Sequence, residues 1–96
     1  MNNEYIELMD RLCVVEDEIY DVLITVRLQI EKVDKSDENF VSDMQNKQAV
    51  LLRLVNKLND IAMKAMAMNE RSIVYKCENA KLEVRNTMEV VRNLYM

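Results

Sequence analysis

The stretch Ile61–Ser72, IAMKAMAMNERS, decides whether the chain folds into two long helices or three. Three methionines fall within six residues, with no Gly or Pro to end a helix, and the local composition favours helix throughout. The apolar pattern on either side does not continue in phase. Ala65 and its counterpart Cys77 are twelve residues apart. At about 100° per residue, that separation turns the stripe by roughly 120°. A straight helix would present its two halves to different neighbours, so the pattern predicts a break between Asn69 and Ser72. Asn69 tolerates the left-handed conformation of a helix end, and either Asn69 or Ser72 suits the N-cap of the next helix.

Upstream of this break runs the most regular segment of the chain: Phe40, Met44, Lys47, Leu51, Leu54, Leu58, Ile61, Ala65 and Met68. These residues form a heptad seam in which Lys47 is the polar interruption, placed to snorkel or to fix register. A second stripe holds Leu52, Val55, Ala62 and Met66, so this helix wants neighbours on both sides. Methionines at helical spacing are read first as core, which covers Met66 and Met68. Met63 lies on neither stripe and is the better candidate for a partner contact. Met63, Met66, Leu52 and Val55 are together the candidate partner-binding residues.

Downstream, Ile73, Cys77, Ala80, Val84, Thr87, Val91 and Leu94 make a third seam, flanked by Val74, Met88 and Tyr95. The N-terminal segment carries Leu8, Leu12, Val15, Ile19, Val22, Val26, Gln29 and Val33. Met9, Cys13, Tyr20, Leu23 and Ile30 widen its stripe, while Val14, Ile24 and Leu28 lie farther round. It is expected to stop near Val33, where Lys32 and Lys35 suit a helix C-terminus. Ser36 is placed to cap the next helix, with Asp37 and Glu38 in its first turn. Both cysteines sit within apolar patterns and read as small free hydrophobes.

The expected architecture is all-α. It is a single domain over residues 1–96, an antiparallel bundle of helices at about 3–33, 37–68 and 71–95 with coiled-coil-like packing. A long helical hairpin is the alternative if the second and third segments fuse. That form would leave apolar surface open and require a second chain, as a homodimer or a heteromer. The complete absence of Gly and Pro supports an all-helical reading, because tight hairpins draw on both. Half the residues are hydrophobic and 31% are charged, enough apolar material for a core.

The same composition removes much chemistry. Without His, the commonest general base and metal ligand is missing. Without Gly, no phosphate-cradling loop or dinucleotide fingerprint can be written. Two cysteines and no His make a structural zinc site a poor fit. The acidic runs Glu16–Glu18 and Asp34–Glu38 lack calcium-loop spacing. No cofactor and no metal are expected. Arg11 and Arg27 on the first helix do not match the all-helical chorismate mutase type, since no Lys and Gln constellation supports them.

Charge is unevenly spread. Residues 1–39 hold four basic residues and eleven acids, a balance of −7; residues 40–96 hold nine basic residues and six acids, a balance of +3. Complementarity between the first helix and the rest is the simplest reading. A nucleic-acid reading rests on Lys57, Lys64 and Arg71, which repeat every seven residues and are continued by Arg85 and Arg92. They would form one ridge on a continuous helix, but the net acidity of −4 opposes strong phosphate binding.

No run reaches the length of a membrane span. The start, Met1–Glu4, lacks a basic region followed by an apolar one, so a cytoplasmic location is expected. Size, acidity and helicity resemble those of small secretion or flagellar export chaperones. The expected function is that of a non-enzymatic protein–protein interaction module: a small chaperone, adaptor or assembly subunit binding partner helices through apolar seams. The alternative is a nucleic-acid-binding regulator using the basic ridge.

Overall fold

A computed structural model describes residues 3–32 and 38–95. Three helices, α1 (Asn3–Lys32), α2 (Glu38–Ala67) and α3 (Arg71–Tyr95), pack against one another as a bundle with a long axis of 53 Å. Leu8 lies beside Lys64 and Met68, whereas Val26 clusters with Phe40 and Met44. This sets α1 antiparallel to α2. Met66 lies near Val74, and Met44 near Val91, so α3 reverses again. The fused long hairpin is therefore replaced by an up-down-up bundle, and with it goes the need for a second chain to cover a fused helix.

The break falls where the stripe changes phase. Asn69 has φ 60°. Its N–H donates to the Met66 carbonyl at 3.1 Å, and the Glu70 N–H donates to the Ala65 carbonyl at 2.8 Å. This pair of bonds is a Schellman closure, which satisfies carbonyls left over at the end of α2. Asn is among the non-glycine residues that adopt this conformation readily. The Glu70 carbonyl accepts from the Val74 N–H at 3.4 Å, so Glu70 holds the N-cap position of α3. Asn69 is thus the terminator of α2 and not the cap of α3, and Ser72 lies inside the first turn of α3. The expected Ser36 cap, with Val33 and Asp37, lies outside the described residues.

The core follows the three seams, with one slip. On α1 the buried residues are Leu8, Leu12, Val15, Ile19, Leu23 and Val26, and Val22 is only half-buried. A straight helix drifts about 20° per heptad against a strict 3.5-residue repeat, and Leu23 takes over the inward position. Leu51, Leu54, Leu58, Ile61 and Ala65 from α2 meet Ile73, Cys77, Ala80 and Val84 from α3. Thr87 is the buried polar residue among the described residues, and Arg27 donates to its Oγ1 at 3.4 Å and to Glu83 at 3.2 Å. Lys47 is half-buried, consistent with a snorkelling stem.

Candidate partner-binding groove

The candidate surface lies between α2 and α3, on the side away from α1. Antiparallel packing leaves a channel wherever facing residues at the edge of the seam are small or point outward. Leu51, Leu52, Val55, Val84 and Met88 line a hollow of about 430 Å³ together with Gln48, Lys81, Arg85, Glu89 and Arg92. It adjoins a second hollow lined by Val41, Met44, Met88 and Val91. Gln48, Met88 and Arg92 belong to both, so the two form one groove along the far half of the bundle. No α1 residue lines it.

Its floor is apolar, and its α3 wall carries Lys81, Arg85 and Arg92 against one acid, Glu89, so the wall is basic on balance. Neither Arg85 nor Arg92 makes an ion pair with a described residue. Lys81 closes the inner end: its Nζ donates to Asn59 Oδ1 across the two helices at 2.9 Å and pairs with Glu78 at 2.8 Å. This polar crossing separates the groove from a hollow at the turn lined by Met66, Val74 and Tyr75.

The four candidate partner residues divide accordingly. Leu52 and Val55 line the groove, Leu52 at 58% exposure and Val55 half-buried against the core. Met66 is 66% exposed beside the turn, which corrects its reading as core; Met68 is half-buried and packs on the main cluster. Met63 is 69% exposed on the outer side of α2. The second stripe of α2 is therefore not a second core. Ala62 is buried at its edge, and the larger Leu52 and Met66 remain in solvent. Periodicity missed Met88, Val41 and Arg92 as groove residues, because a channel between two helices depends on their relative orientation.

The basic row is not one ridge. Lys57 and Lys64 lie at the crevices between α1 and α2, Lys57 with Asp10 and Lys64 with Glu4 and Glu7. Arg85 and Arg92 lie on the α2–α3 groove, and Arg71 lies beside the turn. The break at Asn69 and the reversal of α3 divide the row among three places.

The cysteines differ as well. Cys77 is fully buried, whereas Cys13 is exposed, which corrects its reading as a core hydrophobe. Burial pushes the Cys77 thiol above its ordinary value of 9.0, with Glu16 and Glu78 adding to the rise and Lys81 opposing it. Such a thiol stays protonated at neutral pH and is a poor nucleophile. Among the described residues, no three of His, Cys, Asp and Glu converge on a metal-sized site. None of the helices is long and apolar enough to cross a membrane among those residues. Comparison with protein families, with curated proteins and with solved structures finds no match.

Proposed function

We propose that the chain is a non-enzymatic helical interaction module, an adaptor, small chaperone or assembly subunit. It seats a partner's amphipathic helix in the α2–α3 groove. The observation that carries this reading is the groove itself: an apolar floor of Leu52, Val55 and Met88 beside two arginines without an ion partner among the described residues. A groove of this kind favours a helix with an apolar face flanked by acids. A cytoplasmic setting is part of the proposal, supported by the two free thiols.

The test is paired co-purification from the native host, with the parent chain and with Leu52→Glu. The expected result is a protein captured by the parent and lost by the variant, with both folded by circular dichroism. Equal capture by the two would remove the groove from the proposal. The nucleic-acid reading predicts the opposite sensitivity. Binding would fall steeply with salt and disappear on charge reversal of Lys57, Lys64 and Arg71.

A further inference from the structure

The groove has a complement on the same molecule. Ile6, Tyr20, Ile24 and Leu28 stand exposed along α1, and Cys13 stands exposed among them. At about 100° per residue these five fall within an arc roughly 80° wide, turned away from the buried stripe. Asp17 and Asp21 are exposed along the same side. Residues 6–28, which span the stripe, contain six acids and two basic residues, Arg11 and Arg27, a balance of −4. The outer face of α1 is thus an apolar stripe in an acidic setting, which is the chemistry that the Arg85–Arg92 groove favours.

We infer that the occupant of the groove is the outer face of α1 from a second copy of this chain, joined head to tail. This inference rests on the groove reading above. Charge selects the pairing. Groove against groove would set Arg85 and Arg92 against their own copies, and α1 against α1 would oppose the acids. Groove against α1 alone joins unlike charges. The α1 of one molecule then serves as the fourth helix of the next, a packing common to helical bundles. The two surfaces lie on opposite sides of the molecule, because α1 contacts both α2 and α3 and contributes nothing to the groove. Each added copy leaves one free surface of each kind, so the assembly grows or closes into a ring and does not stop at two.

The experiment uses the full chain at low salt, by light scattering over rising concentration and by alkylation of the two thiols. The parent is expected to grow beyond a dimer with concentration. Cys13 labelling should slow at least about tenfold on assembly, while Cys77 stays slow throughout. Arg85→Glu with Arg92→Glu reverses the groove, and Asp17→Lys with Asp21→Lys reverses the stripe. Each double variant is expected to be monomeric alone. Their mixture is expected to assemble again, because each now complements the other. A misfolded variant cannot produce that rescue.

A parent that stays monomeric at millimolar concentration overturns the inference. So does a species that ends at two copies, a single double variant that still assembles, or a mixture that does not. A synthetic helical peptide with a leucine face and glutamate flanks separates the two levels. If the parent is monomeric yet binds this peptide, and Leu52→Glu abolishes the binding, the self-pairing fails and the groove reading stands. If it binds neither, both fail.

Discussion

From the α2–α3 turn through the middle of the bundle, fifteen buried residues form one cluster; at the far end, Val26, Phe40, Met44 and Val91 form a separate one. The first is apolar throughout and includes Leu12, Ile19, Leu58 and Ile73, all at 0% exposure. Near the second along the chain lie Thr87, reached by the Arg27 guanidinium, and Gln29, whose Oε1 is buried with no hydrogen-bond partner among the described residues. The groove opens onto Met44 and Val91 of this smaller cluster. The groove therefore straddles the junction of the two clusters: Leu51 and Val84 of the larger line its inner half, and Met44 and Val91 of the smaller line its outer half.

Substitutions test the division between the clusters in order of size. Leu58→Asp puts a carboxylate without a partner into the larger cluster and should cost more than about 4 kcal/mol. Helical circular dichroism should be lost at 25 °C, and a melt matching the parent would remove Leu58 from the core. Phe40→Ala strikes the smaller cluster and should cost about 3 kcal/mol or less. Hydrogen exchange should then quicken in the first turns of α2 while Leu58 to Ala65 keep their protection. Uniform loss of protection would mean that the two clusters melt as one unit. Asn69→Gly relieves a non-glycine residue at positive φ and should change stability by under about 1 kcal/mol, with Asn69→Val destabilising by about 1–2 kcal/mol. Similar melting temperatures for both variants would show that the turn does not need its left-handed residue. Arg27→Met removes an ion pair between half-exposed side chains, so a shift under about 0.5 kcal/mol is expected. A larger shift would make the Arg27 contact with Thr87 a genuine prop of the far end.

The Cys77 thiol adds a pH dependence to the larger cluster. Its folded value lies above the ordinary 9.0, so the unfolded chain releases this proton first. Stability contributed by this group is full below pH 9 and declines as pH rises toward the folded value. A chemical melt that is unchanged between pH 8 and pH 10 in the parent, relative to Cys77→Ala, would remove that linkage.

Much of this was legible in the residues. The seams of α2 and α3 follow apolar spacing closely, and the phase conflict between Ala65 and Cys77 located a turn that no Gly or Pro marks. Asn69 supplied the left-handed terminator expected of it. What spacing could not resolve was which flank of a wide stripe a neighbour covers. Cys13 and Met66 each sit beside an inward residue, yet both face solvent. Leu23 replaced Val22 because a straight helix keeps a 3.6-residue period. The groove was legible only in part: Leu52 and Val55 belong to it by their stripe, but Met88 and the two arginines join it through the way α3 lies against α2.

An odd number of passes leaves the first residue of α1 and the last of α3 at opposite tips of a rod 53 Å long. Tension applied between those tips would pull α1 and α3 past α2 lengthwise. Every interdigitated side chain along a seam would have to slide at once, whereas a two-pass hairpin pulled at its adjoining tips peels open a turn at a time. The odd count therefore makes this rod stiffer against stretching than a two-pass hairpin of the same length.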